Sequence, residues 1–158
     1  MERLSKDRYY LEIAKTVLKR STCLRRRYGA VIVKDDEIIA TGYNGSPRGA
    51  ENCIDCGTCQ REIYKVPRGQ RYELCKSVHV EANAIISAAR RDMIGASLYL
   101  AGQDSKTGDH LYDAEPCAMC KRLMINAGIK EIITITKDWK VEEEDNNCIC
   151  VRSISIVS

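Results

Sequence analysis

Apolar side chains recur at helical spacing near the start of the chain. Within residues 5–20 they share one face of a 3.6-residue helix, at Tyr10, Ile13, Ala14, Val17 and Leu18. Ser5 stands just before them, and a serine oxygen at that position can accept a hydrogen bond from an unpaired N–H of the first turn. The pattern therefore predicts an amphipathic helix over 5–20 with Ser5 as its N-cap.

Short runs rich in β-branched residues predict the strands. Two runs, at 30–33 and 38–41, flank the polar sequence KDDE, which is typical of a hairpin turn. Later runs at 97–101, 131–136 and 151–157 have the same character and predict three more strands.

Two further segments are helical in character. Residues 80–91 are rich in helix formers, and residues 117–127 are followed by Gly128, a common helix terminator. A long Gly-, Cys- and charge-rich loop occupies 42–78, and a polar loop occupies 102–115. The order α-β-β-α-β-α-β-β predicts an α/β sandwich, in which helices cover a sheet.

Length and composition indicate one unit and limit its partners. The 158 residues suit a single domain, 1–158, with a Cys-rich insert at about 53–75, and no internal repeat or flexible linker divides it. Hydrophobic residues make up 44%, enough for a core, and the formal charge is only +3. Nucleic-acid binders usually carry a strongly basic face and stacking aromatics. An acidic run at 142–145 and a single tryptophan, Trp139, also argue against a nucleic-acid partner.

Nine cysteines are the unusual feature of the composition. The first ten residues lack the apolar core of a signal peptide, and no apolar run reaches the length of a membrane span. We therefore expect a cytoplasmic protein with no membrane partner and with reduced thiols. Nine thiols cannot all pair within one chain, so the clustered cysteines indicate metal ligands.

Two motifs carry the chemistry: HVE at 79–81 and PCAMC at 116–120, each at the start of a predicted helix. Cys117 and Cys120 are three residues apart on one helical face, where the helix N-terminus favours thiolates. With His79 they provide three zinc ligands and leave a fourth position for water, as in catalytic zinc sites. Glu81 is not needed as a ligand and can move protons between water and substrate.

Each motif alone has a simpler explanation. An isolated H-x-E usually marks a helix surface, and an isolated C-x-x-C can be half of a structural zinc site or a redox pair. Together and in this order they match H-x-E…P-C-x-x-C, the signature of zinc deaminases. A non-catalytic zinc-binding module remains the alternative outside the enzymes, although such a module has no use for Glu81.

The sequence resembles the deoxycytidylate deaminases of bacteria and phages, within the cytidine deaminase-like superfamily. The resemblance rests on STCLRRRYGAVIV at 21–33, TGYNGSPRGAENC at 41–53, VHVEANAI at 78–85 and PCAMCKRLMINAGIK at 116–130. It implies a three-layer α/β/α sandwich around a central five-stranded mixed sheet. It also implies that His79, Cys117 and Cys120 bind the catalytic zinc, that Glu81 moves protons, and that dCMP is converted to dUMP with release of ammonia.

The motifs leave the choice of base open. AEPCAMC is also similar to the motif of tRNA adenosine and guanine deaminases, so related deaminases acting on tRNA adenosine, guanine or cytidine are alternatives. In the family, GYNG approaches the substrate sugar, which implies a contact from Asn44, although turn chemistry alone also explains an Asn beside Gly. The basic run at 25–27 offers a phosphate contact, with Arg26 preferred, or is simply a solvated face.

The resemblance also implies assembly and regulation. Family members under allosteric control bind a deoxynucleoside triphosphate near a subunit boundary, with help from an arginine late in the helix after H-x-E. Arg90 occupies that position, and a cation favoured by the helix dipole is the alternative explanation. We therefore expect a homo-oligomer with deoxynucleoside triphosphate effectors. The loop 102–115, which contains His110, is longer than usual in the family and is expected to frame the pocket.

The remaining cysteines suggest a second metal site. Soft thiolates in a polar loop suit a closed tetrahedral zinc that would hold the loop in place. Related phage and bacterial enzymes hold a structural zinc with counterparts of two of these residues, and the expected ligands are Cys23, Cys53, Cys59 and Cys75. Cys56 is the substitute ligand, and an iron–sulfur cluster or ordinary thiols are the alternatives. Cys148 and Cys150 are expected to be small buried side chains.

Overall fold

A mixed β-sheet forms the centre of the molecule. The computed structural model describes residues 1–136 and 148–153. Its strands are β1 (Arg26–Lys34), β2 (Glu37–Tyr43), β3 (Ser97–Asp104), β4 (His110–Leu111), β5 (Glu131–Thr136) and β6 (Cys148–Ser153). Five of them lie in the order β2-β1-β3-β5-β6, and the short β4 pairs with β3. Because β3 and β5 run parallel while the other pairs are antiparallel, the predicted five-stranded mixed sheet is confirmed, with β4 as an addition.

Helices cover both faces of this sheet. They are α1 (Lys6–Val17), α2 (Cys53–Cys56), α3 (Gln60–Ile63), α4 (Val80–Ile86), α5 (Arg90–Met93) and α6 (Ala118–Ala127). Successive strand residues point to opposite faces, so Ala30 and Ile32 of β1 pack in the core cluster that includes α4 and α6 residues. Val31 and Val33 pack on the other side, in the cluster of α1. The arrangement is the predicted three-layer α/β/α sandwich.

The first helix forms much as its pattern predicts. The Ser5 hydroxyl oxygen accepts a hydrogen bond from the backbone N–H of Arg8 at 3.3 Å and caps α1. Ala14 and Leu18 are almost fully buried on the predicted face. The α-helix ends at Val17, and a 3₁₀ turn, Leu18–Arg20, completes the predicted range.

The KDDE sequence forms the predicted hairpin turn between β1 and β2. Asp35 and Asp36 both have positive φ, 50° and 63°. Two left-handed residues in a two-residue loop match the right-handed twist of the flanking strands, and aspartate tolerates this conformation better than most residues.

The prediction of one helix over 80–91 is wrong, because the helix is interrupted. α4 ends at Ile86, and the hydroxyl of the C-cap residue Ser87 donates to the carbonyl oxygen of Asn83 at 2.9 Å. A serine hydroxyl that bonds one turn back competes with the helical ladder. Ala89 is extended, and α5 then begins at Arg90.

Both predicted loops contain regular structure. The segment 42–78 includes α2, α3 and a 3₁₀ turn, Tyr72–Leu74. The loop 102–115 begins inside β3, which extends to Asp104, and it contains β4. β4 pairs with the end of β3 that lies beyond the parallel pairing with β5.

Predictions for the last part of the chain are only partly covered. β6 spans Cys148–Ser153 and overlaps the strand predicted at 151–157, whose residues 154–157 lie outside the described residues. Trp139, the acidic run at 142–145 and the side chains of Cys148 and Cys150 lie outside them as well. Within 1–136 and 148–153, no helix is long and apolar enough to cross a membrane.

Candidate functional site

Two helix starts meet beside the central sheet. His79 is the N-cap of α4 and Cys117 is the N-cap of α6. Paired hydrogen bonds between Gly45 and Val78, at 2.8 and 3.3 Å, tie the chain just before His79 to the segment after β2. The sheet therefore positions the start of α4. The packing of α6 against α4 brings the start of α6, at Cys117, close to His79.

The ligand atoms of His79, Cys117 and Cys120 lie within 4.8 Å of one another. The His79 Nδ1 lies 3.6 Å from the Cys117 sulfur and 3.4 Å from the Cys120 sulfur. A tetrahedral zinc with Zn–N of about 2.0–2.1 Å and Zn–S of about 2.3 Å requires N–S separations of about 3.5 Å. The three side chains therefore fit zinc through Nδ1 and the two sulfurs.

The two thiols shift each other's pKa in opposite directions. A hydrogen bond from the Cys120 thiol, with a further one from His79, lowers the pKa of Cys117 to about 4. The Cys117 sulfur also accepts the backbone N–H of Cys120 at 3.4 Å. The same side-chain bond raises the pKa of Cys120. The lowered pKa favours the thiolate of Cys117, the form that binds metals.

Glu81 is a buried carboxylate beside this cluster. It lies in the first turn of α4 and only 5% of it is exposed. Burial raises the pKa of Glu81, against the opposing effects of its own backbone N–H and His79. A carboxyl group in such surroundings can both accept and return a proton near neutral pH.

One cavity connects the cluster to basic residues from other segments. His79, Glu81 and Cys117 line it together with Leu100 and Val80. Its basic lining consists of Arg25, Arg26, Arg61 and Arg68. Glu115 is the residue that the loop 102–115 contributes, whereas His110 is exposed in β4 and does not line the cavity. The cavity therefore joins Glu81 and the cluster of His79, Cys117 and Cys120 to cationic side chains.

Asn44 lines the cavity and also holds its wall. Its Oδ1 accepts hydrogen bonds from the Ser21 hydroxyl at 2.6 Å and from the backbone N–H of Tyr28 at 2.8 Å. Its Nδ2 donates to the carbonyl oxygen of Arg26 at 2.9 Å. The backbone N–H of Tyr28 needs an acceptor, which defines the orientation of the amide. One amide proton of Asn44 is left over for another acceptor.

The three arginines at 25–27 differ in whether their side chains line the cavity. Arg26 and Tyr28 line the cavity, as does Arg25, whose Nε lies 3.7 Å from Glu62. Arg27, which lies between Arg26 and Tyr28 in the chain, does not line the cavity. Its buried Nε has no hydrogen-bond partner within the described part of the chain. β1 begins at Arg26, so strand alternation turns Arg27 away from the face of Arg26 and Tyr28, while Arg25 precedes the strand. The phosphate candidates of this run are therefore Arg25 and Arg26, which line the cavity.

Arg90 does not have the environment expected from the sequence. It begins the short helix α5 and does not lie late in the helix after H-x-E. Its Nε donates to the carbonyl oxygen of Asn126, in the last turn of α6, at 2.8 Å. Arg90 does not line the cavity, and its observed contact caps α6.

Cysteines outside the cluster of His79, Cys117 and Cys120 also line the cavity. Cys23, Cys59 and Cys75 line it. Burial raises the pKa of Cys53, and the nearby thiols of Cys23, Cys56 and Cys75 add to the effect. Among the described residues, only the cluster of His79, Cys117 and Cys120 has three or more ligand atoms within 4.8 Å. The insert thiols are therefore neighbours without the closed geometry of a metal cage.

Sequence reasoning missed four cavity-lining residues, Tyr28, Arg61, Arg68 and Tyr72, and also Ser21, which hydrogen-bonds to Asn44. Ser21 and Tyr28 belong to the segment 21–33, but no motif marks them individually. The other three lie in the irregular insert, where periodicity carries no information. The only local signal is the turn-forming sequence PRG at 67–69, which exposes an arginine at its tip.

Comparison with known proteins places the chain among deaminases. The model of the cytidine and deoxycytidylate deaminase zinc-binding region matches residues 4–136. A deoxycytidylate deaminase of Mycobacterium phage D29 is 38% identical over 138 residues, which cover 84% of this chain and 96% of the phage protein. One from Schizosaccharomyces pombe is 37% identical over 131 residues, which cover 83% of this chain but 37% of the yeast protein. The chain thus spans nearly all of the phage relative and well under half of the yeast one.

A solved structure shares the fold. It is the crystal structure of dCMP deaminase from the cyanophage S-TIM5 in complex with dCMP and dUMP. The TM-score is 0.59 at 24% identity, and the match covers 84% of this chain and 82% of that one. The zinc-binding character of the matching family agrees with the donor set of His79, Cys117 and Cys120.

Proposed function

Because the chain belongs to the cytidine and deoxycytidylate deaminase family, we propose that it converts dCMP and water to dUMP and ammonia. The observation that carries this proposal is the cavity floor, where buried Glu81 lies beside the cluster of His79, Cys117 and Cys120. A single-metal site with three protein ligands and an adjacent carboxylate is the arrangement that hydrolytic deamination needs.

Glu81 carries the proton transfers of this reaction. His79, Cys117 and Cys120 would hold a zinc ion, which would supply a Lewis acid to polarise water in the cavity. Glu81 accepts one proton from the water as its oxygen bonds to C4 of the base, and delivers that proton to N3. A second proton moves through Glu81 from the new C4 hydroxyl to the exocyclic amine, and the C–N bond breaks as ammonia leaves and the C4 carbonyl forms. The product keeps the water oxygen at C4, so atoms and charges balance.

The arginines of the cavity favour a nucleotide over a nucleoside. Guanidinium groups match the oxygen geometry of a phosphate and bind it bidentately. Arg26 is the proposed phosphate contact, and the remaining amide proton of Asn44 is suited to a sugar oxygen. Ammonia release from dCMP, CMP, deoxycytidine and cytosine, measured side by side, tests the assignment. Equal rates on dCMP and deoxycytidine would replace it with a nucleoside deaminase.

A second, structural zinc at Cys23, Cys53, Cys59 and Cys75 is a further part of the proposal. Its support is the proximity of these thiols: Cys23 and Cys59 add to the raised pKa of Cys75, whose main cause is burial. Cys56 is instead directed to the Thr58 carbonyl oxygen, at 3.6 Å. Metal binding would have to draw the four sulfurs together. A closed site of this kind would hold the insert against the cavity.

Location, assembly and regulation complete the proposal. The seven cysteines with described side chains are free thiols, which suits the cytoplasm. A homo-oligomer with deoxynucleoside triphosphate effectors, and Arg90 as an effector contact, stay predictions from the family resemblance. An effector contact through the Arg90 Nε would require Arg90 to break its hydrogen bond to the carbonyl oxygen of Asn126.

A further inference from the structure

The tip of the Cys-rich insert is held in place by a buried arginine. Arg61 is only 6% exposed, and its Nη1 donates to the carbonyl oxygens of Gln70 at 2.6 Å and Arg71 at 3.0 Å. Its Nη2 donates to the carbonyl oxygen of Pro67 at 3.0 Å. These acceptors stand on both sides of Arg68. The buried guanidinium therefore fixes the backbone on either side of Arg68.

Arg61 also connects this loop, through Tyr72, to His79 of the proposed metal site. The Arg61 guanidinium lies over the ring of Tyr72, 5.0 Å from its centroid. The Tyr72 ring packs edge-on against the His79 ring, with centroids 4.9 Å apart. Arg68 and Tyr72 both line the cavity. The insert is thus a wall of the site and keeps a defined relation to His79.

The four arginines of the cavity differ in what they already bind. Arg61 is occupied by three carbonyl oxygens, and Arg25 faces Glu62. The charge of Arg26 acts on Tyr28, whose pKa it lowers against the larger raising effect of burial. Arg68 has no hydrogen bond or ion pair within residues 1–136 and 148–153. Arg68 lines the same cavity as Tyr28, and its charge lowers the pKa of Tyr28 against the larger raising effect of burial.

We propose that Arg68 binds the 5′-phosphate of the nucleotide substrate and that Arg61 is the residue that positions it. The proposal rests on the proposed function, since it names a second phosphate contact in that same cavity. An exposed guanidinium on a free loop would lose much conformational entropy on binding. Because Arg61 has already ordered the loop, most of that loss is incurred on folding, and Arg68 can bind phosphate oxygens bidentately.

The test compares dCMP and deoxycytidine in the full chain. Arg68→Ala should lower kcat/KM for dCMP about ten- to a hundredfold, through KM, because the charge-assisted contact is made before and during the reaction. The rate on deoxycytidine should not change. Arg68→Lys should restore part of the dCMP activity. Lys65→Ala removes a charge from an exposed position of the same insert that does not line this cavity, and should leave both rates unchanged.

Arg61 is tested through a double-mutant cycle. If it acts only by positioning Arg68, Arg61→Ala should raise the KM for dCMP, and Arg61→Ala with Arg68→Ala should raise it no further than Arg68→Ala alone. Arg61→Lys provides a second variant that retains the buried charge, should the alanine variant fail to fold. Additive effects on KM would overturn the positioning role.

The outcomes separate this inference from the proposed function. If the wild-type protein deaminates dCMP and deoxycytidine alike, the nucleotide assignment fails and the phosphate contact fails with it. If the wild-type protein prefers dCMP and Arg68→Ala keeps the full preference, the role of Arg68 is overturned and the deaminase assignment stands. Loss of preference in Arg68→Ala but not in Lys65→Ala supports the proposal.

Discussion

The side-chain amide of Asn44 donates a hydrogen bond to the backbone carbonyl oxygen of Arg26 at 2.9 Å. The two residues that the sequence proposes for the sugar and the phosphate are therefore parts of one hydrogen-bonded wall. Asn44 also accepts from Tyr28 and Ser21, so it joins the start of β1 to the end of β2. The proposed sugar contact and the hydrogen bonds that build the wall therefore involve the same side chain.

Asn44→Ala should reduce both stability and activity. The buried hydroxyl of Ser21 and the N–H of Tyr28 would lose their acceptor, at a cost of about 2–4 kcal/mol in the free energy of unfolding, measured by urea denaturation. Asn83→Ala is the matched control, because Asn83 donates a single exposed hydrogen bond to Tyr43, at 2.8 Å. It should cost about 1 kcal/mol or less. Equal losses in the two variants would contradict a structural role for Asn44.

Glu81→Gln should keep the fold and the bound zinc but lower turnover roughly 10²- to 10⁴-fold, because an amide cannot move the protons. Steady-state kinetics and metal analysis of the same preparation measure the two effects. Glu115→Gln is the control, since Glu115 also lines the cavity but forms an ion pair with Lys121 at 2.8 Å. Retention of most activity in Glu81→Gln would remove Glu81 from the mechanism.

Arg26→Ala should reduce the preference for dCMP over deoxycytidine about ten- to a hundredfold, by loss of a charge-assisted contact. The slow reaction on deoxycytidine should be nearly unchanged, because Glu81 and the three proposed metal ligands are not altered. Arg27→Ala provides the neighbouring control, since Arg27 does not line the cavity. If the preference survives in Arg26→Ala, Arg25 is the next residue of the run to test.

Elemental analysis should find about two zinc ions per chain if the insert closes a second site. Cys53→Ala with Cys59→Ala should then retain about one zinc and lose thermal stability, whereas Cys56→Ala should retain both ions. A wild-type content of one zinc, with no destabilisation of the double variant, would rule out the structural site. Visible absorbance bands would point to an iron–sulfur cluster instead.

Gly42→Ala should destabilise the protein by roughly 1–3 kcal/mol and reduce activity, because β2 and α4 approach closely there. A Cβ at Gly42 would collide with the backbone nitrogen of Ala84 and lie 2.7 Å from the carbonyl oxygen of Val80. Such a collision can be relieved only by moving α4, which carries Glu81.

Gly102→Ala provides the contrast to Gly42→Ala. The nearest neighbour of the added Cβ would be the Tyr28 ring, at 2.7 Å, and a ring can rotate. This variant should cost less stability and act mainly on the KM for dCMP. Thermal unfolding and steady-state kinetics distinguish the two patterns. A larger stability loss in Gly102→Ala than in Gly42→Ala would contradict this explanation.

The reaction class could be inferred from the sequence because its signals are local. Cys117 and Cys120 share a helical face through their spacing alone, and Glu81 is two residues from His79 in the same motif. Short runs of β-branched residues likewise indicated the strands, because such side chains pack well in a sheet and a strand buried on both faces is a continuous apolar run. The hairpin at Asp35 and Asp36 follows from turn chemistry in the same way.

Other features depend on contacts between distant segments, and only the tertiary structure decided them. The interruption after α4, the separation of Arg27 from Arg26, and the contact of Arg90 with Asn126 each depend on the surrounding packing. The position of Arg68 depends on three carbonyl oxygens held by buried Arg61. Local periodicity contains no information about such partners, because an irregular segment takes its conformation from the hydrogen bonds and packing that the rest of the fold supplies.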